Sequence, residues 1–112
     1  NNSTIEKVIF NENLKSISSY AFENCINLTS YEVNKNLENI GSRAFYGCTS
    51  LESVNLNNNL TTIGSSAFAN CTSISGDLRV PSSVISIGSS AFDGDSRMVH
   101  LSVLMHLEML RL

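Results

Sequence analysis

The chain repeats itself, with a period too long for a single helix or strand and too short for a domain. Ala-Phe pairs stand at Ala21-Phe22, Ala44-Phe45, Ala67-Phe68 and Ala91-Phe92, and the phenylalanines are spaced by 23, 23 and 24 residues. A cysteine follows three residues later in three copies, as Cys25, Cys48 and Cys71, and Asp95 takes that place in the fourth. One unit reads Leu37, Ile40, Ala44, Phe45, Cys48, Leu51, Val54, Leu56. The unit before it reads Leu14, Ile17, Ala21, Phe22, Cys25, Leu28, Tyr31, Val33, and the unit after reads Leu60, Ile63, Ala67, Phe68, Cys71, Ile74, Leu78, Val80. A half unit with Ile5, Val8 and Phe10 precedes these, and Val84, Ile87, Ala91 and Phe92 begin a last one.

These apolar positions follow neither a helical nor a strand period throughout. They mark the inward side of a coil that turns once per repeat. One such coil cannot bury its inner face, but stacked coils bury each other's, so equivalent residues form ladders. Adjacent coils then lie about one strand spacing apart, roughly 4.8 Å. The fold class is an α/β solenoid, mostly β by content, of about four to five coils with short parallel strands and short helical turns. It requires the four phenylalanine rings to stand in a single column.

Within a coil, residues 51–56 alternate at their end as a short parallel strand does. Asn57-Asn58-Asn59 turns the chain, and residues 60–63 form a second extended stretch. A helical turn is expected at Ala67-Phe68, with Ser19, Ser42, Ser65 and Ser89 placed as N-caps. Asn24, Gly47, Asn70 and Gly94 would end it, since Asn and Gly tolerate left-handed φ. Gly41, Gly64 and Gly88 share one position, which Ser18 holds in the first copy. One extra residue near Ser75-Gly76 reads as a bulge or a widened corner.

These residues resemble a known family. The pattern from Leu37 to Leu56, Leu-x-x-Ile-Gly-x-x-Ala-Phe-x-x-Cys-x-x-Leu-x-x-Val-x-Leu, is similar to the BspA-like, or treponemal-type, leucine-rich repeat. The resemblance spans Ile5 to about Gly94. It implies a surface-located or secreted adhesin of bacteria or protist parasites, contacting host extracellular-matrix proteins or other cells. It brings no catalytic residues and no cofactor. One departure stands out: the family's strand is usually followed by Pro, and only Pro81 does so here. Asn11, Asn34 and Asn57 hold the matching corners, which suggests looser turns.

Composition and charge narrow the partners, and the absence of a nucleophile–base set reads against an enzyme. Seven Lys and Arg against ten Asp and Glu leave a net charge of −3, which argues against nucleic acid or an anionic membrane as partner. No window is long and apolar enough for a membrane span. The polar opening Asn1-Asn2-Ser3-Thr4 reads as no signal peptide, which says little about compartment. Three cysteines cannot form a fully paired disulfide framework. Stacked one per coil, they read as small buried hydrophobes, and their spacing is wrong for zinc. His100 and His106 lack a nucleophile and carboxylate to work with. Asp93-Gly94-Asp95 fails the calcium-loop pattern and reads as a turn. Sequons at Asn27, Asn59 and Asn70, and at Asn1 and Asn2, arise easily in an Asn-rich and Ser-rich chain.

The binding face follows from side-chain alternation. Ser53, Asn55 and Asn57 should point out of the sheet, with Ser30, Glu32, Asn34, Asp77, Arg79 and Pro81 as equivalents, and Lys7, Ile9 and Asn11 at the start. This regular polar face suits a protein or glycan. The plainer reading is a solvated sheet face in a structural spacer. On the binding reading, Asn34→Arg with Asn55→Arg removes binding and spares stability. Residues 1–95 form the solenoid, and residues 96–112 belong to no repeat. That tail alternates from Val99 to Met109 and reads as a cap over the last coil, an oligomerisation strip, or sequence foreign to the repeat.

Overall fold

The structure is a computed structural model, and it describes residues 3–74 and 80–95. Six short strands occur in chain order: β1 (Lys7–Ile9), β2 (Ser16–Ile17), β3 (Ser30–Glu32), β4 (Asn39–Ile40), β5 (Thr62–Ile63) and β6 (Ser86–Ile87). All pair in parallel. β1 pairs with β3, while β2, β4, β5 and β6 form a four-stranded sheet in that order. The register is the repeat itself: Lys7 faces Ser30, Ile17 faces Ile40, Ile40 faces Ile63, and Ile63 faces Ile87. Each coil therefore sits on the last after 23 or 24 residues.

Stacking is complete along the core. Phe22 and Phe45 lie 5.5 Å apart at 12°, Phe45 and Phe68 5.1 Å apart at 7°, and Phe68 and Phe92 5.6 Å apart at 2°. Tyr31 joins from the strand side, 4.7 Å from Phe45. Phe10 closes the lower end edge-on to Phe22. Around this column Leu28, Leu37, Ile40, Leu51, Leu60, Ile63 and Ile74 are buried, and Cys25, Cys48 and Cys71 form their own inner line. The expectation of one phenylalanine column holds.

The expected helical turn does not form, and the structure has no helix among the described residues. The segments 19–24, 42–47, 65–70 and 89–94 are consecutive tight turns. Their amides alternate in direction. Ala21, Glu23 and Cys25 donate back to Ser18, Tyr20 and Phe22, while Tyr20, Phe22 and Asn24 donate across to Ser42, Ala44 and Tyr46 of the next coil. A helix would send every N–H back along its own axis and leave the next coil's carbonyls without partners. Competition from the stack decides the outcome, so the four serines cap nothing.

Each double turn needs two residues with left-handed φ. Asn24, Gly47, Asn70 and Gly94 supply one, with φ of 58°, 73°, 60° and 78°, as the sequence suggests. Tyr20, Arg43, Ser66 and Ser90 supply the other, with φ of 55–64°, and no propensity rule marks them. The shared glycine has a different cause. A Cβ on Gly41 would lie 2.5 Å from Ser19 N and 2.8 Å from Ile17 O, both backbone atoms of the coil beneath. Ser18, at the same place in the first coil, is exposed. The extra residue near Ser75-Gly76 falls outside the described residues.

Candidate functional site

The face expected to bind is built from β1, β3 and the extended stretch 53–56 stacked on them. Lys7 pairs in register with Ser30, and Ile9 with Glu32. Alternation turns Val8 and Tyr31 inward and leaves Lys7, Ile9 and Glu32 exposed, with Ser30 half-buried. Ser53 and Asn55 continue the exposed rows. Lys7 Nζ lies 2.9 Å from Glu32 Oε2, both side chains more than half exposed, so this ion pair adds little to stability. Ile9 stands out as an apolar side chain, 69% exposed, beside it.

Tyr31 alters the face from behind. Its hydroxyl donates to Asn55 O at 3.1 Å and accepts from Asn55 N–H at 2.9 Å. The Asn55 amide Nδ2 donates to Tyr31 O at 2.7 Å. A phenol and an amide here take the place of regular strand pairing, and residues 53–56 are extended without being a ladder strand. Burial, the largest influence, pushes the Tyr31 hydroxyl far above its ordinary pKa, so it stays a neutral hydrogen-bonding group.

Asn34 and Asn57 are half-buried rather than outward, and their amides tie the corners instead of loosening them. Asn34 Nδ2 donates to Asn11 O and to Leu14 O, and Asn57 Nδ2 donates to Leu37 O at 2.7 Å and Lys35 O at 3.3 Å. Asn34 Oδ1 accepts from Asn36 N–H at 2.6 Å, and Asn11 Oδ1 from Asn13 N–H at 2.8 Å. Asn57 Oδ1 is buried without a hydrogen-bond partner among the described residues. These side chains form a ladder that ties each corner to the coil below, which Pro81 ends by lacking an amide. Arginine at Asn34 or Asn55 would remove ladder bonds, which argues against the expectation that this pair spares stability. Asp77 and Arg79 lie outside the described residues.

Other candidates reduce to structure. Cys48 and Cys71 thiols donate to Phe22 O and Phe45 O of the coil below, each at 3.1 Å. Burial pushes the Cys48 thiol up to about 12 and raises the Cys71 thiol as well, and both side chains are fully buried, which disfavours the reactive thiolate. Asp95, at the cysteine position of the fourth coil, accepts from Cys71 N–H at 2.9 Å, and its other oxygen is buried without a partner. No group of three metal-ligating side chains converges among the described residues. No helix among them is long and apolar enough to cross a membrane.

One solved relative is a leucine-rich repeat protein from Bacteroides ovatus, with a TM-score of 0.76 and 35% identity over 82% of this chain and 23% of that one. A second, the Treponema pallidum leucine-rich repeat protein, has a TM-score of 0.66 and 24% identity over 78% of this chain and 53% of that one. The first shares sequence as well as architecture; the second shows the fold. This chain thus spans about a quarter and about half of these two relatives. No curated protein matches it. The family model for the BspA type leucine rich repeat region matches residues 1–107 in six copies, running into the segment beyond residue 95. With its 23-residue register, its phenylalanine column and that match over nearly its whole length, the chain belongs to the BspA-type leucine-rich-repeat family.

Proposed function

We propose that this chain is a non-enzymatic protein-binding module of a cell-surface or secreted adhesin, acting through its strand face on extracellular-matrix proteins or other cells. Leucine-rich repeats generally serve as protein-interaction modules. The observation that carries the reading is the ordered outward row of Lys7, Ile9, Ser30, Glu32, Ser53 and Asn55, held in register by parallel pairing and by Tyr31. A rigid backbone lowers the entropic cost of docking, and Ile9 offers an apolar anchor among polar neighbours.

The test uses Glu32→Arg with Ser53→Arg, since both residues are exposed and neither belongs to the asparagine ladder. Binding of the chain to immobilised extracellular-matrix proteins is measured in a solid-phase assay, with thermal denaturation in parallel. The expected result is loss of binding at unchanged Tm. Unchanged binding refutes the face assignment. No binding by the parent chain favours a spacer that positions other domains.

A further inference from the structure

The double turns carry a second feature that repeat geometry does not require. Their left-handed position before Ala holds Tyr20, Arg43, Ser66 and Ser90 in successive coils, and the residue after Phe is Glu23, Tyr46, Ala69 and Asp93. Ser66 and Ser90 adopt the same φ as Tyr20 and Arg43, within 10°. Any side chain in that conformation costs about 1–3 kcal/mol, Ser as well as Tyr, and the stack asks only for the backbone shape. Coils one and two nevertheless place an aromatic and a cation there.

These side chains assemble into one unit. Arg43 Nε–H donates to Glu23 Oε2 at 2.6 Å. The guanidinium carbon lies 4.0 Å from the centre of the Tyr46 ring and 5.6 Å from that of Tyr20, within cation–π range. The Tyr46 hydroxyl accepts from Asn70 Nδ2 at 3.1 Å. Three coils thus fix the cluster before any ligand arrives. It is fixed but not covered: the Tyr20 residue is 55% exposed and the Arg43 side chain 40%. Apart from the inward phenylalanines and Asp93 in the fourth coil, the surrounding double turns are Ser, Ala, Asn and Gly, small enough to let a partner approach.

We propose that the Tyr20–Arg43–Tyr46 platform is a second recognition site, on the double turns and separate from the strand face, that takes a carboxylate next to an apolar side chain on a partner protein. Glu23 takes the Nε–H, and the two Nη groups of the 40%-exposed Arg43 side chain are the planar fork that matches a carboxylate, which a planar bidentate group binds better than a point charge does. The Tyr20 ring beside it provides apolar area at low entropic cost, the composition typical of an interface anchor. Glu23 and the net charge of −3 oppose every anion and polyanions most, so a single carboxylate beside apolar area fits the platform better than nucleic acid or a sulfated glycan does.

The test is two-dimensional NMR of the 112-residue chain titrated with N-acetylphenylalanine, its neutral amide, and glucuronate. N-acetylphenylalanine is expected to shift the Arg43 Nε–H and the Tyr20 and Tyr46 signals saturably, and the amide to bind at least about fivefold more weakly, a loss near 1 kcal/mol. Tyr20→Ser and Arg43→Ser import the residue that coils three and four use, so the fold is retained and the response lost. Arg43→Lys, which keeps charge without the fork, loses it too. Absence of a saturable shift, equal binding of the amide, or an unchanged response in Arg43→Ser overturns the proposal. Glucuronate binding as tightly as N-acetylphenylalanine also overturns it and makes the platform a glycan site.

Discussion

Replacing Phe45 by Ala tests the stacked core where it is most ordered. The ring is fully buried, with Phe22 below at 5.5 Å, Phe68 above at 5.1 Å and Tyr31 alongside at 4.7 Å. Phe→Ala in a core costs ~3–5 kcal/mol, depending on how far the surroundings collapse into the cavity. Here they collapse little, because each neighbouring ring is held by its own coil's backbone register. The loss therefore falls at the upper end, about 5 kcal/mol. Phe92 has one stacked neighbour among the described residues, Phe68 at 5.6 Å, and is only half-buried. Each ring pair adds ~0.5–1.5 kcal/mol beyond area, so Phe92→Ala should cost about 2 kcal/mol less than Phe45→Ala. Domain stabilities are ~5–15 kcal/mol, so Phe45→Ala stands near the limit of folding, and the milder Phe45→Leu and Phe92→Leu pair is measured with it. Urea denaturation would be followed by far-UV circular dichroism and tyrosine fluorescence, since the chain has three Tyr and no Trp. Equal losses at the two positions, or a larger loss at Phe92, would refute the argument that stacking neighbours set the cost.

Three further outcomes follow from particular contacts. Gly41→Ala should lower stability by about 2–3 kcal/mol, because its Cβ meets backbone that cannot yield, whereas Ser18→Ala at the equivalent position should be nearly neutral; paired thermal melts check this. The Cys48 and Cys71 thiols should resist alkylation at pH 8 in the folded chain and react once urea unfolds it, and mass spectrometry showing rapid native labelling of either would contradict their burial. Asp95 gives a pH dependence. Burial, opposed by the Cys71 N–H and assisted by nearby Asp93, pushes its carboxyl up to about 7 from an ordinary value of 3.8. The folded chain then holds this proton more tightly than the unfolded chain. Its contribution is present below pH 4 and is lost as pH rises to 7. The pH 5 to 7.5 decline in Tm should be smaller in Asp95→Asn, and an identical slope in both proteins would remove Asp95 as its source.

The candidate surface was only partly legible in the chain. Strand alternation located Lys7, Glu32 and Ser53, because period two depends on the backbone alone. It misplaced Asn34 and Asn57, since an amide beside a turn has backbone carbonyls to bind as well as water. What they bind lies 20–23 residues earlier, at Leu14 and Asn11 or at Leu37 and Lys35. The platform around Arg43 left no signal in the notation of the repeat. Tyr20, Arg43 and Tyr46 occupy variable positions and meet only across the stack.

What the sequence determined by itself was everything invariant under a shift of one coil: the phenylalanine column, the inward cysteines, the left-handed Asn and Gly sites and the parallel register. Identical chemistry recurring at a fixed interval can satisfy its burial in only one way, by lying on its own copy. Tertiary structure alone decided that the expected helical turn becomes two tight turns, that the asparagines bind the coil below, and that a phenol replaces strand pairing at Asn55. Each of these turns on which hydrogen-bond partner the adjacent coil presents, and local propensity carries no information about a partner that arrives from another winding.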